Sequence, residues 1–460
     1  MDFTLAKLST ILGLPIMADA PLSGVAIDSR QVRPGDVFVA LPGSKVDGHD
    51  YARAAAAAGA RALLCEYRPA GMPPGFPILI VPDSREALLR LAAAMKKEAG
   101  FRLAAVAGSA GKTTTKEFAA AILAQRFVVE KTPGNQNSAV GFPMSVVNLS
   151  RWPEWMVGEM GMSALGEVSR LSRAFEPDVA AITLIAAEHL EFLFSLDNVA
   201  RANAEILEGL KTDGVFVVNA DDSRIVAMAA AHSGRTLRFG VGHEADVGAE
   251  QLVSSESGSR FLLRTPSGSA DVVLPLPGGH QVANFVAAAA VAIAAGASPD
   301  DCAAAAPTLK AAPHRGELHR HPSGAIFYDD CYNASPPSMR AALDTLKLLK
   351  GTRKIAVLGD MLELGQDALW WHQETGRYLV GRADFLVCVG QRASAIGEGA
   401  NEEGLPQESV QRVETAEEAA SFLSPMLAAG DVVLFKASRG VGLERVVSTL
   451  LGRSPRRLRI

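Results

Sequence analysis

Gly108-Ser109-Ala110-Gly111-Lys112-Thr113-Thr114 is the stretch of this sequence best suited to phosphate chemistry. Its glycines let the backbone turn tightly, so that successive N–H groups can face phosphate oxygens. A helix opening directly after the turn adds partial positive charge at the same point. In such a loop Lys112 reaches the β- and γ-phosphates, and the hydroxyl of Thr113 binds Mg²⁺. The usual GxxxxGK[ST] spacing places a glycine at 106, where this chain has Val106. Two further residues could join the same site. Glu159 ends an apolar run, where open α/β sheets place their ligands, and a buried carboxylate there needs a partner such as Mg²⁺. His189 follows the apolar run 179–185 in the same manner.

Positioning these groups requires strands that stop at the site and helices that start there. Short apolar runs at 103–107, 156–160, 179–185 and 215–218 alternate with helical stretches, the first at 112–124. That alternation predicts a mainly parallel sheet covered on both faces. The stretch 238–276 reads as short strands and turns, and a helix over 284–295 closes this block. Before it, strands are expected at 37–40, 62–65 and 78–81, with a helix at 85–97 whose start carries the capping-box spacing of Asp83 and Glu86. After it, strands at 325–328, 355–358, 385–389 and 432–435 alternate with helices at 337–349 and 370–380, as in a doubly wound, Rossmann-like domain. Ser335 and Pro336 fit the N-cap and first turn of the first of these helices. The expected fold class is therefore α/β in three domains, 1–98, 99–312 and 313–460, with the phosphate loop in the central one.

The bulk numbers agree with such a protein and exclude others. At 460 residues the chain has room for two to four domains. Its net charge of −5 lacks the basic excess of a nucleic-acid surface. Cys65, Cys302, Cys331 and Cys388 form no CxxC pair, and free thiols in a reducing cytoplasm are expected. Met1-Asp2-Phe3-Thr4 does not resemble a signal peptide. The longest small-apolar run, 285–295, is shorter than the roughly 20 residues of a membrane-spanning helix. With no long heptad or docking segment in view, a monomer is expected. Arg453, Arg456, Arg457 and Arg459 suggest a solvated basic tail.

The shortened loop, GxxGKTTTKE, resembles the Mur ligases, and 108–117 matches apart from Ala110, where Asn is common. Other segments resemble the D-alanyl-D-alanine-adding branch of that family, in the same order and over nearly the whole chain. They include Asp28-Ser29-Arg30, Asp47-Gly48-His49, Thr132-Pro133-Gly134-Asn135-Gln136-Asn137, Glu159-Met160-Gly161 and His189-Leu190-Glu191. They continue through His280 and Asn284, Asp330-Cys331-Tyr332-Asn333, Asp360-Met361-Leu362-Glu363-Leu364-Gly365 and Lys436-Ala437-Ser438-Arg439. The resemblance implies an ATP- and Mg²⁺-dependent amide ligase of peptidoglycan precursor synthesis, with UDP-N-acetylmuramoyl-tripeptide and D-alanyl-D-alanine as substrates. It gives the first domain the UDP-sugar, through Ser29, Arg30, Asp47 and His49, and implies substrate contacts for Asn135, Asn137, Tyr332 and Asn333. It implies adenine contacts for Asn284 at a helix start, phosphate or nucleotide contacts for Arg315 and Asp330, and metal ligation by Thr113, Glu159 and His189. Lys112, Glu159, His189 and Arg315 would carry the catalysis.

One position departs from the family. A lysine that becomes a carbamate metal ligand is expected in the AKxEI-like stretch, and Asn203 stands there. Asparagine forms no carbamate and carries no charge. Three readings stay open: Mg²⁺ held by Glu159, His189 and water; compensation by Glu188 or Glu191; or an impaired, nucleotide-binding homologue. A phosphate loop of this kind would also suit a folylpolyglutamate-synthase-like ligase or a mechanical P-loop ATPase.

Overall fold

Residues alternate between two faces along the strand Arg102–Ala107: Leu103, Ala105 and Ala107 enter one apolar cluster, Ala104 and Val106 the other. The neighbouring strands Trp155–Glu159, Val179–Ile182 and Val215–Asn219 split their side chains the same way. A strand buried on both sides must be apolar at nearly every position, which is why these runs stand out in the sequence. A computed structural model describes residues 3–17, 19–43 and 46–453. Arg456, Arg457 and Arg459 of the basic tail lie outside them.

The described residues form three sheets, of four, nine and six strands. The four-stranded sheet, Val25–Ala26, Val37–Val39, Ala62–Cys65 and Ile78–Ile80, is parallel throughout. The helix Ser84–Ala99 follows it, with the Asp83 side chain accepting from the Glu86 N–H and Gly100 closing the other end in a left-handed conformation. The reciprocal half of the expected capping box is missing, because Glu86 instead accepts from Arg170 Nε at 3.1 Å. The first sheet is tied to the second through Asn148. Its amide accepts from Val25 N–H at 2.8 Å and donates to Val25 C=O at 3.0 Å, like one more strand residue. One apolar cluster also runs continuously from the first sheet into one face of the second.

The nine-stranded sheet is parallel from Val129–Lys131 to Val247–Ser255 and antiparallel in its last two strands, Gly258–Thr265 and Gly268–Leu274. The expected short strands and turns of 238–276 are thus longer strands that extend the central sheet. The strand starting at Val179 ends at Ile182, earlier than the apolar run suggests, because Thr183 and Leu184 turn to bond the phosphate loop. The closing helix spans Gly279–Ala294, so Asn284 sits in its second turn and not at its start. The third sheet is parallel except for its edge strand Glu317–Arg320. The helix Pro336–Leu348 begins at Ser335 in a capping box with Ser338. No described helix is long and apolar enough to cross a membrane.

Arg353 and Asp431 open adjacent strands of the third sheet and form a two-pronged ion pair, with N–O separations of 2.8 and 2.7 Å. Burial raises the Asp431 pKa, but the Arg353 hydrogen bonds, the Ala428 N–H and the Arg353 charge together outweigh it, and the carboxyl is held below its ordinary range. Asp431→Asn is expected to lose about 1–2 kcal/mol of stability at neutral pH, since Arg353 is partly open to solvent. A depressed carboxylate pKa stabilises above its unfolded value and stops doing so as pH falls through the folded value. Denaturant melts of both proteins should therefore converge on acidification.

Candidate active site

Gly108 leaves its strand with φ of +127°, and a Cβ there would lie 2.1 Å from Thr183 Oγ1, so only glycine fits. Gly111, at +83°, precedes the helix Lys112–Leu123, and a Cβ there would lie 2.4 Å from Asn284 Oδ1. The turn between them is clasped by the chain after Ile182. Ser109 N–H donates to Leu184 C=O at 2.6 Å, Thr183 Oγ1 donates to Ala110 C=O at 2.6 Å, and Ala186 N–H donates to Ser109 Oγ at 2.9 Å. Val106 stays in the sheet, fully buried and opposite Glu159, so the loop begins later than in the longer pattern.

Glu159 is 2% exposed and receives two hydrogen bonds of 2.7 Å, one from Thr113 Oγ1 and one from Asn137 Nδ2. A carboxylate and a threonine hydroxyl in contact at the head of a phosphate loop are hard oxygen donors of the kind Mg²⁺ takes. Glu188 Oε1 and His189 Nδ1 are buried without a hydrogen-bond partner beside them. His189 adopts φ of +51°, and its Nδ1 lies 2.5 Å from Glu363 Oε2, in the loop that follows the strand Arg353–Gly359, close but poorly aligned as a hydrogen bond. Lys112 donates to Gly108 C=O at 2.5 Å and lies 3.6 Å from Glu188 Oε2. This donor set fits a divalent cation.

These groups share a cleft of about 410 Å³ with residues from loops that flank strands of the facing sheet. Lys112, Thr113, Asn135, Asn137, Glu159 and His189 line it from one side. Arg315, Tyr332, Asn333, Glu363 and Arg439 line it from the other. The guanidinium carbons of Arg315 and Arg439 lie 4.0 and 5.1 Å from the Tyr332 ring centre, so two cations share one aromatic face system. Asp330 is held away from the lining by buried Lys436, whose Nζ donates to its carboxylate at 2.6 Å and to Asn333 C=O at 3.0 Å. Asp330 therefore shapes the turn that presents Tyr332 and Asn333. Thr114 is buried at the base of the loop, while Asn284 meets the loop at Gly111.

Ser29, Arg30, Asp47 and His49 do not line this cleft; they sit at two short helical turns of the first domain, Ser29–Gln31 and Gly48–Tyr51 with its cap Asp47. Arg30 is exposed and paired with Asp28 at 2.7 Å. Its hydrogen bonds hold the Asp28 carboxyl well below the usual range. His49 is a correction to the expected direct contact. Its ring is buried, Nδ1 faces Asp47 at 2.6 Å, and Nε2 accepts from Glu66 N–H at 3.0 Å. With both nitrogens committed and the ring stacked on Tyr67 at 4.0 Å, His49 positions Asp47 and Tyr67.

Asn203 is likewise committed. Its Oδ1 accepts from Gly108 N–H at 2.7 Å, its Nδ2 donates to Val199 C=O at 2.9 Å, and it is 1% exposed. The residue pins the start of the phosphate loop. Sequence reasoning overlooked Lys116, whose fully buried Nζ donates to Thr132 C=O at 2.7 Å and Gly134 C=O at 2.9 Å, binding the loop helix to the segment that carries Asn135 and Asn137. Burial lowers its pKa. Its place between three threonines and the apolar end of the helix, beside Glu117, was the available signal. Thr183 was also missed, because a lone threonine at a strand end carries no signature.

Phosphate loop, cation donors and a cleft between a mainly parallel sheet and a Rossmann-like one define a three-sheet α/β protein organised around a phosphate-binding type of loop. Residues 21–96, 106–292 and 314–439 match, respectively, the models "Mur ligase family, catalytic domain", "Mur ligase middle domain" and "Mur ligase, glutamate ligase domain". The chain belongs to the Mur ligase family. It is 35% identical to the UDP-N-acetylmuramoyl-tripeptide--D-alanyl-D-alanine ligase of Bacillus subtilis, over 96% of this chain and 95% of that one. The structure is similar to that of MurF from Acinetobacter baumannii, with a TM-score of 0.87, 31% identity and coverage of 98% of this chain and 99% of that one. It is also similar to the MurF ligase of Thermotoga maritima in complex with ADP, with a TM-score of 0.82, 30% identity and coverage of 95% and 99%.

Removing the Asn203 amide strands the buried Gly108 N–H. Asn203→Ala should cost about 1–3 kcal/mol. Denaturant melts would measure this, and ADP binding should weaken in parallel because the loop loses its anchor.

Proposed function

We propose that this chain is an ATP-dependent ligase that joins D-alanyl-D-alanine to UDP-N-acetylmuramoyl-tripeptide, giving the UDP-pentapeptide, ADP and phosphate. The observation that carries this reading is one cleft, lined by the phosphate loop on one side and by Arg315, Tyr332 and Asn333 on the other. The chain's family membership and its full-length similarity to ligases of that name support it. The functional units are taken as 1–98, 99–312 and 313–460, acting as a monomer in the cytoplasm.

A carboxylate cannot expel oxide at neutral pH, so amide formation needs an activated acyl group. The terminal carboxylate of the tripeptide attacks the γ-phosphoryl of ATP. The amine of D-alanyl-D-alanine then attacks the acyl phosphate, and phosphate leaves. Lys112 swings from Gly108 C=O to the β/γ-phosphates, where it and the loop N–H groups stabilise the transferring charge. Arg315, stacked on Tyr332, faces the same phosphates from the opposite wall. Mg²⁺, held by Thr113, Glu159 and His189, would neutralise charge on the phosphate oxygens. Asn135 and Asn137 orient the acceptor, and closing the cleft excludes water from the acyl phosphate. Ser29, Arg30 and Asp47 hold the UDP-sugar.

Glu188 supplies the anion that Asn203 cannot. Its Oε1 is buried, unpartnered and part of the cleft, whereas Glu191 is exposed and its N–H is spent on Glu363 C=O at 3.2 Å.

Phosphate release from ATP and Mg²⁺ should require both substrates together and yield a UDP-pentapeptide. ADP binding without release would favour a nucleotide-binding homologue that does not catalyse. Release with a folate-type acceptor in their place would favour a folylpolyglutamate-synthase-like ligase. Glu188→Gln should weaken Mn²⁺ binding in the presence of ADP, read by electron paramagnetic resonance, by about tenfold; unchanged binding would return the metal site to Glu159, His189 and water.

A further inference from the structure

A second group of metal-binding side chains lies behind the Tyr332 wall, apart from the phosphate-loop donors. Asp329 ends the strand Ile326–Asp329 and its side chain is fully buried. His314 Nδ1 lies 2.7 Å from Asp329 Oδ2, and the Cys331 thiol donates to Asp329 Oδ1 at 2.9 Å. The Nδ1–Sγ separation is 3.7 Å. His319 Nε2 stands 3.6 Å from the same carboxylate. Antiparallel pairing sets Glu317 opposite Asp329, and its carboxylate accepts from His314 N–H at 2.8 Å. An imidazole, a thiol and a buried carboxylate, those of His314, Cys331 and Asp329, thus converge at one sheet edge, and Glu317 and His319 form a second group around the same Asp329.

From this geometry we propose that His314 Nδ1, Cys331 Sγ and the Asp329 carboxylate form a binding site for a zinc-class divalent cation, with water completing a tetrahedron. Nitrogen, thiolate and carboxylate together match zinc's preferences and not those of Mg²⁺. Bonds of about 2.0–2.3 Å in a tetrahedron put donor atoms about 3.5 Å apart. The Nδ1–Sγ separation already meets that spacing. The two shorter contacts to Asp329 are bridged by protons, and a cation replaces those protons. Binding releases the Cys331 thiol proton and the proton shared by His314 and Asp329 to solvent. Burial holds the thiol well above its ordinary pKa, so this cysteine stays protonated until a cation draws the proton off.

The position gives the site a consequence. His314 belongs to the segment entering the third sheet, at φ of +58°, and its C=O accepts from Tyr332 N–H at 3.0 Å. Arg315 follows directly and stacks on Tyr332. A bound cation would fasten this entry segment to the strand end and set the angle at which Arg315 and Tyr332 face the cleft.

The test uses Co²⁺ as the probe, added to the metal-stripped full chain in the presence of excess Mg²⁺ and ADP so that the cleft is already filled. One equivalent should bind, with the intense visible bands of a tetrahedral ion and a thiolate charge-transfer band in the near ultraviolet, and Zn²⁺ should displace it. Cys331→Ser should abolish the thiolate band and weaken binding at least about tenfold. His314→Asn, which keeps a residue tolerant of the left-handed backbone, should weaken binding similarly and serves if the serine variant does not fold. Absence of tight Co²⁺ binding, or a spectrum without thiolate character, would overturn the site. So would a spectrum and affinity unchanged in Cys331→Ser or His314→Asn. These readouts do not depend on ligase activity, so they fail separately from the proposed reaction.

Discussion

Everything near the phosphate loop depends on how its first backbone N–H is satisfied. Gly108 cannot carry a side chain, because Thr183 stands where the Cβ would be, and its N–H points into a buried space filled by the Asn203 amide. That hydrogen bond connects the loop to the helix Leu196–Ala204, while the Thr183 and Leu184 contacts connect it to the next strand end. A loop tied on two sides is held in one shape, which is the preorganisation that phosphoryl transfer needs. Asn203, which stands where the sequence resemblance implies a metal-ligating lysine, therefore has a full structural task here.

The same economy appears in the polar residues around the cleft. Buried Lys116 and Lys436 donate to backbone carbonyls, and each fixes a segment that carries candidate substrate contacts, 132–137 in one case and 330–333 in the other. Lysine can do this because three donors on one nitrogen satisfy several carbonyls at once. The walls are thus set by charges placed behind them, and the side chains left facing the cleft are free for ligands. Glu188 and His189, with orphaned polar atoms, are the clearest of these.

Strands buried on both faces were legible from their apolar runs, as were the phosphate loop and the capped helix start at Ser335. Helix and strand ends were read less well. The helix Gly279–Ala294 starts five residues before Asn284, because nothing in Gly279-His280-Gln281 announces a helix, and Gly278 caps it by backbone geometry alone. Among site residues, Lys112, Thr113, Glu159 and His189 come together as their types and positions suggested, and Arg315, named by the family resemblance alone, lines the same cleft. His49 and Asp330 do not, because each found a local partner, Asp47 or Lys436, that a linear sequence does not display. The cluster around Asp329 escaped notice for the same reason: its donors are dispersed from 314 to 331 and meet only when two strands pair.

The account rests on the claim that this cleft activates a carboxylate by phosphorylating it. The most direct measurement supplies UDP-N-acetylmuramoyl-tripeptide labelled with ¹⁸O in its terminal carboxylate, together with ATP, Mg²⁺ and D-alanyl-D-alanine, and follows the oxygen by mass spectrometry. The account predicts one labelled oxygen in each released phosphate, carried there by collapse of the acyl phosphate. Unlabelled phosphate formed alongside the amide product would contradict it.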